Sequence, residues 1–151
     1  MTRSSTAITN VRVSDGDRLT ESRIVVITDG RISSDATADN IVDGGGGTLL
    51  PGLIDSHVHL NAVENLEQAA QWGVTTMLDM GTPSPELVRS LRALPGLTDI
   101  RSSQSPASAP GSLQITKMGF AAATAVAGQE EAEGFVVKRV GEGADDPQDH
   151  H

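Results

Sequence analysis

Cysteine and tyrosine are both absent from the 151 residues, and the aromatic content is one Trp and two Phe. Without thiols there is no disulfide framework and no thiolate chemistry. With so few rings, a core has to be assembled from Val, Ile, Leu and Ala, which bury less area per residue than aromatic side chains. Positive charge is also scarce, with 11 Lys and Arg against 20 Asp and Glu, a formal net charge of −9. That balance argues against nucleic acid and against an anionic membrane as partners. No run of 18 apolar residues occurs, and the N-terminal MTRSSTAITN has no signal-type apolar stretch, so a soluble cytoplasmic protein is expected.

What is plentiful is glycine, and the glycines punctuate the chain. Residues 6–50 read as short strands. Ile8, Val11 and Val13 are unevenly spaced, as in a strand kinked near Asn10, and RIVVIT (23–28) is a β-branched run. Asp29-Gly30 between that run and Arg31-Ile32-Ser33 is a strong hairpin signal. NIVDGGGG (40–47) reads as one more strand ending in a flexible connector, since no G-x-G-x-x-G leads into a helix.

From residue 48 the rhythm changes to strand and helix. TLLPGLIDSHVHL predicts a buried strand. AVENLEQAAQW then puts Val63, Leu66 and Ala70 on one helical face, with Gly73 where a C-terminal glycine belongs. VTTMLDM (74–80) is a second strand, and Ser84-Pro85-Glu86 an N-cap, a first-turn proline and an early acid. LTDIRSS (97–103) is a weaker third strand, and QSPASAPGS (104–112) a long loop, with 104–118 expected to be among the least ordered residues. A last helix over 129–143 carries Ala132, Phe135, Val136 and Val140 as its apolar stripe. The alternation predicts a parallel sheet with right-handed crossovers.

Within PGLIDSHVHL, His57 and His59 are two apart on a strand, so their Cα atoms lie roughly 6.6 Å apart on the same face. Two imidazoles so placed can share one metal ion at Zn–N distances of about 2.0–2.1 Å. They also fall at a strand's C-terminal end, where parallel β/α proteins gather functional groups. By spacing alone, two half-exposed strand-end histidines are the blander alternative.

PGLIDSHVHL resembles the first barrel strand of the amidohydrolase superfamily, with its Pro-Gly-x-Ile-Asp-x-His-x-His motif. DGRI (29–32) and WGVTTMLDMG (72–81) extend the resemblance over roughly residues 6–145, and SSQSPASAPGS (102–112) sits where imidazolonepropionase-like and prolidase-like members carry a long loop after the third strand. The resemblance implies an α/β fold, a small N-terminal β-sandwich portion followed by an eight-stranded β/α (TIM) barrel. It also implies hydrolysis of amide or cyclic amide C–N bonds with one or two divalent metals, commonly zinc, and a small amide-type substrate. His57 and His59 would be metal ligands. Asp55 matches the motif's acid, either orienting a ligand or bonding local backbone.

The resemblance also calls for a lysine from the fourth strand, histidines from the fifth and sixth, and an aspartate from the eighth. After Gly143-Ala144-Asp145 the chain reads DPQDHH, a proline-containing run with no β-branched residue, unlike a central strand. Lys117 lies in the loop and Lys138 on the last helix, and neither fills the gap. His150 and His151 match no family position. The expected organisation is therefore a β-rich portion (1–50), the first three βα units of a truncated barrel (51–143) and a disordered tail (144–151). No catalytic residue is assigned, and any divalent ion, zinc above all, is expected to be weakly held. The expectation is a hydrolase inactive alone. The alternative is a non-catalytic fragment or interaction module that self-associates through an open sheet edge.

Overall fold

The computed structural model describes residues 4–145 apart from Ala36 and Ala93. The chain divides into two compact units, Met1–Pro51 and Gly52–His151.

In the first unit, strands β1 (Ser5–Val13), β2 (Arg23–Thr28), β3 (Arg31–Ser33), β4 (Asn40–Asp43) and β5 (Thr48–Leu49) form one sheet. β1 is its organising strand. It pairs antiparallel with β2, and parallel first with β4 through Thr6–Thr9 and then with β5 through Arg12–Val13. The change of partner falls at Asn10, whose φ of 53° coincides with a register shift between Ile8 and Val11. Asn tolerates this left-handed conformation better than other residues with a Cβ. β2 and β3 form the predicted hairpin. Its two central residues, Asp29 (φ 50°) and Gly30 (φ 77°), both take the positive φ that a type I′ turn demands.

Two expectations are corrected in this unit. The described residues give a single mixed sheet rather than two packed sheets, because the short strands all pair into one layer around β1. Nor is the glycine run a loose connector. Gly44 and Gly46 donate N–H bonds of 2.8 Å to the Thr9 and Asn10 carbonyls, and Arg12 N–H donates to Gly47 O at 3.0 Å. A Cβ on Gly44 would overlap the Val11 side chain, so glycine here permits close backbone approach to β1.

The second unit is built on a parallel sheet of β6 (Leu53–Val58), β7 (Val74–Asp79) and β8 (Asp99–Ser102), in that order. Helices α1 (Val63–Gln71) and α2 (Pro85–Arg92) make the crossovers. Leu60, Leu66, Met77, Val88, Leu91 and Ile100 form the buried cluster between helices and sheet, with Val63, Val74 and Leu87 at its margin. α1 stops at Trp72, followed by Gly73 at φ 78°, and α2 starts where Ser84 Oγ accepts the Leu87 N–H at 3.2 Å. Both ends are where local chemistry put them.

The long loop after β8 has structure of its own. It carries α3 (Leu113–Thr116) and a 3-10 turn at Ala122–Thr124. Ser108 N–H donates to Thr124 O and Val126 N–H to Ser108 O, both at 2.9 Å, and this bridge brings the ends of segment 109–124 together. The last helix, α4 (Gln129–Gly141), corrects the predicted apolar stripe. Val136 is 56% exposed and Val140 36%, while the buried residue is Arg139, which stacks over Phe135 and pairs with Glu142 at 2.9 Å. No described element packs closely enough on that face to bury the valines. Asp145, the second residue of the expected tail 144–151, is instead tied to β8. Its N–H donates to Ser102 O at 2.9 Å, and its carboxylate accepts the Ser102 N–H at 2.6 Å and an Arg92 guanidinium N–H. The remainder of that expected tail, 146–151, lies outside the described residues. Among the described residues no helix is long and apolar enough to cross a membrane.

Candidate functional site

His57 lies near the C-terminal end of β6, and His59 follows one residue after the strand ends. Both are exposed. The β6–β7 register slips between Asp55 and Val58, so β6 carries an extra residue just where the pair begins. Strict alternation is therefore broken, yet the rings still meet: their centroids are 5.4 Å apart and their planes are inclined by 83°. Two imidazoles that each hold one nitrogen about 2.0–2.1 Å from a common ion would have centroids roughly 5 Å apart. The pair thus has a separation compatible with two ligands of one ion. Among the described residues no group of three or more His, Cys, Asp or Glu could hold a metal. Asp55 spends an oxygen locally, accepting the His57 N–H at 3.3 Å.

What fixes the position of His59 is a residue that sequence reading passed over. Asp79, at the end of β7, has no exposed surface. Its Oδ1 accepts N–H bonds from Leu60 (3.4 Å) and Gly81 (3.3 Å), and its Oδ2 accepts the Thr82 N–H (3.2 Å) and the Ser102 hydroxyl (2.5 Å). The Thr82 hydroxyl, 2.8 Å from Asp79 Oδ1 and 2.9 Å from Leu60 O, itself accepts the Leu60 N–H at 3.0 Å. A buried carboxylate persists only with such a set of donors. The effect is to lock the C-terminal ends of β6, β7 and β8 together one residue from His59. The signal in the sequence was an acid closing the apolar strand TTMLD just before Met-Gly-Thr, where an Asp bonds backbone two and three residues on.

Gly81 lies against the imidazole: a Cβ there would sit 3.2 Å from His59 Nδ1 and 3.4 Å from Pro106 Cδ. Beyond β8, Gln104 is also buried, at φ 60°, and its side-chain amide has no hydrogen-bond partner among the described residues. Lys117 and Lys138 are exposed and remote in sequence from the pair, and the terminal His150 and His151 lie outside the described residues.

No known family profile matches the chain. An L-hydantoinase of Paenarthrobacter aurescens is 31% identical over 94 residues, covering 52% of this chain and 20% of that protein. An enamidase of Eubacterium barkeri is 31% identical over 101 residues, covering 53% of this chain and 26% of that protein. The solved structure of a Xaa-Pro dipeptidase shares the fold with a TM-score of 0.66 at 21% identity, covering 94% of this chain and 46% of its own. The matches thus span a fifth to a quarter of the curated relatives and under half of the solved chain.

Proposed function

This chain resembles the amidohydrolase superfamily, and from that premise we propose that it carries part of the site of a metal-dependent hydrolase of carbon–nitrogen bonds, amide or cyclic amide, in small molecules. His57 and His59 are the two ligands it contributes. Residues 1–50 are then the small β portion and 51–143 the opening βα units of a barrel. The observation that carries the reading is the approach of the two rings to 5.4 Å at a strand end. When bound, a divalent ion such as zinc supplies Lewis-acid polarisation of a carbonyl and activation of water. The chain's own residues do the rest of what is assigned here. Asp79 and Thr82 brace the backbone beside His59, and Asp55 holds the His57 N–H.

Two imidazoles alone hold an ion weakly compared with a site of three or four protein ligands. The test is a zinc titration of the purified chain followed by histidine-ring NMR resonances. The expected result is saturable shifts at His57 and His59 only, abolished in the double variant His57→Ala, His59→Ala. Zinc shifts that ignore both rings would sink the proposal.

A further inference from the structure

Next to His59, the folded loop borders a partly open pocket of about 330 Å³. Gly81, Pro83, Pro106, Phe120, Ala121 and Thr124 are among its walls, and none of the residues lining it is ionisable. Gly81 and Pro106 are shared: both line the cavity, and the space above Gly81 is bounded by the His59 imidazole on one side and by Pro106 on the other. The cavity therefore abuts His59, separated from it by a residue without a side chain. It is also held open by the fold. The Ser108–Thr124 and Val126–Ser108 bonds pin the loop, Thr124 is buried beneath it, and Gly119 turns the chain at φ 78° just before Phe120.

We propose that this cavity is the subsite for an uncharged apolar group, an aromatic ring or branched aliphatic chain, carried next to the scissile amide. This rests on the reading of His57 and His59 as the ion-binding pair. Its size falls in the range of small-molecule sites, and a dry cavity of about 150 Å³ already accepts benzene. Its walls offer proline, phenylalanine, methionine and alanine carbon, with a few small polar groups. A charged substituent placed there would lose part of its hydration and meet no counter-charge, which is unfavourable. The subsite thus selects for neutral apolar amides and against acidic ones.

The experiment uses the isotope-labelled chain without metal and two probes, N-acetyl-L-phenylalaninamide and the α-amide of N-acetyl-L-aspartic acid. The phenylalanine amide is expected to shift the Gly81, Gly119 and Ala121 N–H resonances, with the acidic amide weaker by about tenfold or more. Ala121→Trp, which fills the space, removes those shifts. If that variant does not fold, the milder Ala121→Leu weakens binding about threefold or more. Equal binding of both probes, shifts confined to residues outside the cavity, or unchanged affinity in a folded Ala121→Leu chain overturns the proposal. Zinc alone is titrated in parallel. If zinc leaves both histidine rings unmoved while the apolar amide still binds, the reading of His57 and His59 as metal ligands fails and the cavity stands as an apolar amide site. If zinc binds and the amide does not, the subsite fails alone.

Discussion

A carboxylate with no exposed surface has to be matched by donors, and Asp79 is matched from three strand ends at once. Removing it leaves the Ser102 hydroxyl and the Gly81 and Thr82 N–H groups short of an acceptor in a largely buried place, while the Leu60 N–H and the Thr82 hydroxyl keep each other and Leu60 O. Each buried unsatisfied group costs about 1–3 kcal/mol. Asp79→Ala is therefore expected to lower unfolding free energy by at least about 3 kcal/mol in urea titration, and Asp79→Asn by less, since the amide oxygen keeps part of the set. Equal stability of Asp79→Ala and the parent chain would contradict the brace. Gly44 is a second position where one atom decides. Its φ is ordinary, but the Cβ of Gly44→Ala would meet the Val11 side chain and sit 3.0 Å from Thr9 O. Overpacking of this kind costs about 1–3 kcal/mol, readable as a lower denaturant midpoint.

Among the elements, α1 and α4 make a useful contrast. Leu66 on α1 is fully buried, whereas Val137 on α4 is 65% exposed. Leu66→Ala should cost about 2–5 kcal/mol, while Val137→Lys should stay within about 0.5 kcal/mol; a large loss for Val137→Lys in the same assay would mean that α4 is covered after all. At the start of α2, Ser84→Ala removes the acceptor for the Leu87 N–H and should cost about 1 kcal/mol. Glu86, beside it, is held below the usual carboxylate range by a hydrogen bond from its own backbone N–H, with the Arg89 charge adding to the effect. Its support is present above the ordinary carboxylate value and is lost as pH falls through the lowered one. The same contrast explains what the sequence made legible. α1 and α2 are bounded by local chemistry, Gly73 and Ser84-Pro85, and their stripes face strands immediately before and after them. The stripe of α4 was equally periodic, but periodicity says only that a face is apolar, not what lies against it. Likewise His57 and His59 drew attention through the motif PGLIDSHVHL around them, their spacing alone being a weak signal. Asp79 offered only the local signal of an acid before Gly81 and Thr82, because its other donors come from positions 19 residues before and 23 after it.

Taken whole, the described chain brings two histidines together and no third ligand beside them. With no further His, Cys, Asp or Glu grouped with the pair among the described residues, none is in hand to serve as general base either, a role typically worth about 10²–10⁴ in rate. The purified chain with added zinc is therefore expected to hydrolyse amide, lactam or dipeptide substrates no faster than zinc in buffer. Zinc-dependent turnover that disappears in the His57→Ala, His59→Ala double variant would show that the chain, or an assembly of it, completes a working site. The same absence bears on the sheet. Leu53 and Ile54 on β6 are 58% and 64% exposed, so successive residues, which point to opposite faces, are both uncovered. Their burial is not accomplished by the described residues of this unit.

The clasp that joins Ser108 to Thr124 and Val126 has a bearing on how such a protein can change. Segment 109–124 enters and leaves at one point, so its length and composition can vary without moving β8 or α4. Lengthening a closed loop adds little entropy, about 0.6 kcal/mol per doubling. A lineage, or an engineer, can therefore exchange this cassette between homologous chains and inherit a new wall for the cavity while the histidine pair stays put.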